Sequence, residues 1–223
     1  MVKTIKASES FRFHTRLHLT EMIGLKAANA AQLCEGIREV PGSSIYHHTH
    51  RFLQIHQYLS PEPPNDFSYW VAEALGEDEL AERLASIDTM QYSTLRDLRE
   101  KIVSSIDRYL EDNPLSKKRF ARAGEEFHFM KSVSFIIPTD YTVDTLNDFA
   151  KVLEKITIDS IYFHIFEARL RLEKKTNDFS YWIETAIGDK KLADEISRLD
   201  PYTRTMEDLR SVLIKKIKHK IEA

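Results

Sequence analysis

Residues 65–70 read NDFSYW, and residues 177–182 read NDFSYW again. An identical hexapeptide that includes tryptophan is a poor candidate for chance and marks an internal duplication. In the same register Gly76 pairs with Gly188, Leu80 with Leu192, Ala81 with Ala193 and Asp88 with Asp200. One slip further, Asp97, Leu98 and Arg99 pair with Asp208, Leu209 and Arg210. Upstream, Ser44, Ile45, Tyr46 and His48 match Ser160, Ile161, Tyr162 and His164, while Phe11 and Phe13 match Phe127 and Phe129. The register changes in the loop of Ser60, Pro61, Glu62, Pro63 and Pro64, a turn that the second copy shortens. The expected organisation is a first copy over 1–112, a polar and basic linker over 113–126 and a second copy over 127–223, together making one compact fold.

Each copy opens with strand-like alternation: Phe11, Phe13, Thr15, Leu17 and Leu19 in the first, Phe127, Phe129, Lys131, Val133 and Phe135 in the second. A lone strand in a helical protein must satisfy its backbone groups somewhere, and pairing the two with each other is the economical solution. Helical spacing follows. Ala30, Leu33, Ile37 and Val40 recur at three to four residues before Pro41 and Gly42 break the chain. Ser43 or Ser44 can cap a helix running to about Leu59, with Ile45, His48, Phe52, Ile55 and Leu59 on its apolar stripe. Asn65 or Asp66 caps the hexapeptide helix, Gly76 ends it, and helices over about 77–87 and 94–111 complete the copy. The second copy repeats this order, ending in a helix near 205–221. The fold class is therefore mainly α, a tandem pseudo-twofold duplication of a helical unit with one short β-strand leading each copy.

The chain has 223 residues, of which 42% are hydrophobic and 30% charged, a balance that supports a packed core. Six glycines and seven prolines are few for a sheet-rich protein. The net charge of -3 gives no support to broad electrostatic binding of nucleic acid or acidic membrane. The basic runs Lys117, Lys118, Arg119, Arg122 and Lys215, Lys216, Lys218, Lys220 lack the aromatic interleaving of a single-strand binder. Residues Met1 to Arg12 lack the apolar stretch expected of a secretory signal, and no window approaches the roughly 18 apolar residues of a membrane span. With a single cysteine, Cys34, placed beside Leu33 and Ile37 as a small buried hydrophobe, these features favour a soluble cytoplasmic protein.

Two constellations could carry chemistry. In the hexapeptide, Asp66 at a helix N-terminus and the aromatic pair Phe67 and Trp70 read first as architecture; the functional alternative is a pair of equivalent ligand sites that use Asp66 and Trp70. The second is the run Tyr46, His47, His48, Thr49, His50, Arg51. His48 and its counterpart His164 face the core, as buried neutral imidazoles bonded to a polar neighbour. His47 and His50 share another face with Arg51, and could bind an anion or share a metal if Asp66, His14 or His18 supplied a third ligand. The bland reading of that face is a solvated helix surface. In the second copy Phe163, Phe166 and Glu167 replace His47, His50 and Arg51, and Glu167 with Arg171 reads as a solvated i,i+4 pair. No phosphate loop, dinucleotide fingerprint, HExxH helix, nucleophile elbow or EF-hand loop is present.

The segments SIYHHTHRFL, PPNDFSYW, LASID and DLRE, with SIYFHIFEARLRL, NDFSYW and LDPYTRTMEDLR in the second half, resemble a prokaryotic family catalogued as domain of unknown function 5752. That family has no established activity, so the resemblance implies no catalytic residue, cofactor or substrate. The expected function is a non-catalytic helical binding or regulatory module, with a small molecule or protein partner held at the groove between repeats or on the first copy, around His47, His50, Arg51, Asp66 and Trp70. A metal-assisted or acid-base enzyme using the histidine cluster is the alternative, and a structural subunit of a larger assembly is a third; the cofactor is unknown, and a metal is possible but not favoured.

Overall fold

Side-chain caps fix where most helices begin. In the computed structural model, which describes residues 6–56, 65–172, 176–199 and 205–222, Asn29 accepts the N–H of Gln32 to start α1 (Ala30–Glu39). Thr145 caps α7 (Leu146–Leu153) in the second copy in the same way, through the N–H of Asp148. The next helix of the first copy is built from α2 (Gly42–Tyr46), a π-helical turn at His47–Arg51 and α3 (Phe52–His56). Its counterpart comprises α8 (Ile158–Tyr162), a π turn at Phe163–Glu167 and α9 (Ala168–Leu172). The helix end expected near Leu59 and the turn of residues 60–64 lie outside the described residues.

The two hexapeptides start α4 (Asp66–Leu75) and α10 (Asp178–Trp182). Gly76 and Gly188 close these stretches in the left-handed region, at φ 61° and 80°, where a side chain would be strained. Then follow α5 (Asp78–Ala85) and α6 (Leu95–Asp112) in the first copy, with α11 (Lys190–Ser197) and α12 (Met206–Glu222) in the second. The packing repeats as well: α1 lies on α6 as α7 lies on α12, and α4 on α5 as α10 on α11. Arg99 of α6 donates to the carbonyl of Val40, and its repeat partner Arg210 of α12 donates to that of Leu153, so each last helix secures the end of the first. The chain is mainly helical with two paired strands, and its halves recur in a pattern consistent with tandem pseudo-twofold duplication.

The strands β1 (Lys6–Ala27) and β2 (Phe127–Thr145) are far longer than short leading strands, and they pair with each other. Ser10 meets Asp144, Thr139 donates to the carbonyl of Phe13, and Lys131 pairs with Glu21, an antiparallel succession. The chain divides into two compact units, 18–133 and 1–17 with 134–223. This division cuts through both strands. The helices of the first copy are therefore completed by the opening of β2, and those of the second copy by the opening of β1.

In the 18–133 unit, Phe127 and Phe129 join a core of Leu33, Ile37, Phe67, Trp70 and Leu98. A Cβ on Gly36 would lie 2.5 Å from the ring of Phe129, so glycine there lets α1 approach the strand. In the other unit, Phe11 packs 5.5 Å from Phe149 and 5.6 Å from Trp182. Leu17, Leu19 and Phe135, expected on the buried face with these phenylalanines, are 51%, 52% and 47% exposed. The reason lies in the middle of the ribbon, where His18, Ser132 and Arg16 contact the helices and leave the opposite phase to solvent. Among the described residues no helix is long and apolar enough to cross a membrane.

Candidate functional site

Each hexapeptide ties its helix to a second helix and to the chain at or just before a strand. Asn65 accepts the N–H of Ser68 and its amide donates to the carbonyl of Leu84; Asn177 does the same with Ser180 and Ile196. Trp70 Nε1–H donates to the carbonyl of Glu125 at 2.7 Å, and Trp182 Nε1–H to that of Glu9 at 2.7 Å. Phe67 and Phe179 are fully buried, whereas Tyr69 and Tyr181 are about half exposed. Trp70 is thus a packed anchor with its one donor used.

Asp66 and Asp178 hold the two buried histidines. His48 Nδ1 lies 2.6 Å from Asp66 Oδ2, and its Nε2 accepts the N–H of Met130 at 2.9 Å. His164 Nδ1 lies 2.8 Å from Asp178 Oδ2, and its Nε2 accepts the N–H of His14 at 2.8 Å. A backbone N–H can only donate, so Nε2 is unprotonated and the single ring proton sits on Nδ1, facing the carboxylate. Aromatic rings close around both imidazoles: Phe67 and Phe127 around His48, at 5.4 and 4.7 Å, and Phe179 and Phe11 around His164, at 5.2 and 5.0 Å. The expectation of buried histidines bonded to polar neighbours holds for this pair, and the third partner is a backbone N–H from the other copy's strand. The recurrence of both the His and the Asp in each copy was the available signal. That partner carries no side-chain signature.

The first-copy cluster is not a solvated face. His47 is 8% exposed, its Nδ1 is 2.9 Å from Ser132 Oγ, and burial pushes its pKa down to about 4. His50 is also buried, stacked on Tyr46 at 5.8 Å with Nδ1 3.0 Å from Thr49 Oγ1. Arg51 is half-buried. Of the expected third ligands, Asp66 is bonded to His48, His18 stacks on Tyr46 at 5.7 Å, and His14 donates its backbone N–H to His164. Among the described residues, no group of three or more His, Cys, Asp or Glu side chains is placed to hold a metal ion. Glu167 is likewise buried rather than solvated, and pairs with Arg16 of β1. Cys34 is buried as expected, with its thiol pushed up to about 12 by burial and by nearby Asp107.

The unit of residues 1–17 and 134–223 contains a pocket of about 470 Å³ beside His164 and Asp178. Glu9, Arg12 and His14 of β1 line it together with Asp178, Tyr181 and Trp182 of α10. Strand residues of the first copy and helix residues of the second thus share one concavity. Sequence reasoning missed it, because neither set points to the other until the strand is known to have crossed.

A strand-exchanged helical repeat with buried His-Asp clamps is the class of protein that this fold defines. The chain belongs to the family described as "Family of unknown function (DUF5752)", whose model matches residues 8–218. It is also similar to a solved structure, that of OrfY from Thermoproteus tenax, with 29% identity, a TM-score of 0.83 and coverage of 98% of both chains. No curated protein matches the chain.

Proposed function

We propose that this protein is a non-catalytic binding module whose ligand is a small molecule held in the pocket beside His164 and Asp178. The carrying observation is how the imidazoles are used. His48 and His164, the histidines common to both copies, have each ring nitrogen engaged, one by a carboxylate and one by a strand N–H. An imidazole so held has no lone pair to take a substrate proton. The pocket nearby has the volume of a small-molecule site, with aromatic walls and a few convergent polar groups.

A thermal-shift screen of the full chain against a metabolite collection, followed by titration of each hit, tests the reading. A saturable ligand whose binding is lost in Thr185→Trp, which fills the pocket from its lining, is the expected result. Turnover of any bound compound would overturn it, as would a screen without a hit.

A further inference from the structure

The pocket differs from its repeat-related surface in charge, and that difference points to a ligand class. Glu9 and Asp178 have acidic counterparts in Glu125 and Asp66, and Tyr181 recurs as Tyr69. Arg12, by contrast, corresponds to His128, and Thr185 to Glu73. At these aligned positions the pocket of the 1–17 and 134–223 unit combines carboxylates with a permanently charged guanidinium, where the first copy's counterpart carries a histidine.

Both charged rim groups are available. Arg12 and Glu9 are exposed, and among the described residues neither side chain has a hydrogen bond or ion pair. Asp178 sits deeper, 19% exposed and anchored by His164. The walls are apolar, from the buried rings of Phe11, Phe163 and Trp182.

A simple anion would gain Arg12 but face two carboxylates. A simple cation would gain the carboxylates but face Arg12. A molecule carrying both charges satisfies both sets, and an apolar body between them covers the rings. Resting on the reading of the chain as a binding module, we propose that this pocket binds one small zwitterion per chain, of the free α-amino acid class with an apolar side chain. Its carboxylate pairs with Arg12 and its ammonium with Glu9 and Asp178.

Isothermal titration of the full chain with phenylalanine and leucine tests this, alongside their truncated analogues: 3-phenylpropanoate and 4-methylpentanoate without the amine, phenethylamine and isopentylamine without the carboxylate. One equivalent of amino acid should bind, with each truncated analogue at least about tenfold weaker. Arg12→Gln should weaken the amino acid and the acid by about tenfold while leaving the amine unchanged, and Glu9→Gln should do the reverse. Both positions are exposed on the strand, so neither variant threatens folding. Equal binding of a truncated analogue, or indifference to Arg12→Gln, overturns the zwitterion and leaves the binding module standing. So does saturation of the pocket by another class of compound while amino acids fail at millimolar concentration. If no compound of any class binds, both readings fall.

Discussion

Asp66 and Asp178 each do two jobs with one carboxylate, accepting from a buried imidazole and placing negative charge in the first turn of a helix. Truncation would leave an Nδ1–H orphaned inside an aromatic cage, and an unsatisfied buried donor costs about 1–3 kcal/mol. Asp66→Ala should therefore lower the unfolding free energy by that amount, read as a lower urea midpoint at an unchanged slope, and Asp66→Asn, which keeps an acceptor, should lose less. Equal losses from the two variants would show that the hydrogen bond is not the source. His47 supplies a second residue-scale test. Its folded pKa is about 4 against 6.5 for a free imidazole, so between these values the unfolded chain takes up a proton that the folded one refuses. Stability from His47 is complete above pH 6.5 and drains away as pH falls towards 4, on the order of 3 kcal/mol. His47→Phe, which installs the second copy's residue, should flatten denaturation midpoints across that window; an unchanged acid slope would place the sensitivity elsewhere.

At the scale of elements, the caps and stops around the hexapeptides were legible in advance because their chemistry is local: Asn65, Asn177, Gly76 and Gly188 act where their residue types say they should. The cap expected from Ser43 or Ser44 is not made, because the helix starts earlier, at Gly42 after Pro41, and both serines lie inside it. The helix after Pro41 was legible only to its π turn. An α-helical wheel places Ile45, His48 and Ile55 on one buried stripe, and the first two are buried, yet Ile55 is 48% exposed. The turn at His47–Arg51 adds a residue to one helical repeat and rotates everything beyond it, while drawing His47 and His50 inward. Only a wheel that knew of the insertion would have put that face in the core. The close approach of α1 and β2 was also invisible, since Gly36 corresponds in sequence to Val152. Gly36→Val should push against the Phe129 ring and cost about 1–3 kcal/mol. Phe129→Leu in the same chain should recover part of that loss in a double-mutant cycle. Strict additivity would mean that the two residues do not meet.

The strand exchange belongs to the whole molecule and could not be read from the repeat, because a strand that packs on its own copy and one that packs on the other leave the same alternation and the same register. Its consequence is that the copies are not separable folding units. Phe13 is numbered with the first copy, yet its ring contacts Phe149 at 5.2 Å and His164 at 5.9 Å. Phe13→Ala removes a fully buried ring, a loss of about 3–5 kcal/mol. Amide exchange should consequently rise in α7, α8 and α10, more than a hundred positions away in sequence, and far less in α1, α4 and α6. Cutting the linker gives the complementary test. A protease site engineered beside Gly124, an exposed turn residue, severs the copies covalently but leaves the Phe127 and Phe129 strand in the core of the 18–133 unit. The cleaved fragments should co-elute at native pH and part only in denaturant that unfolds the helices. Elevated exchange confined to the first copy in Phe13→Ala, or fragments that separate under native conditions, would return each strand to its own copy.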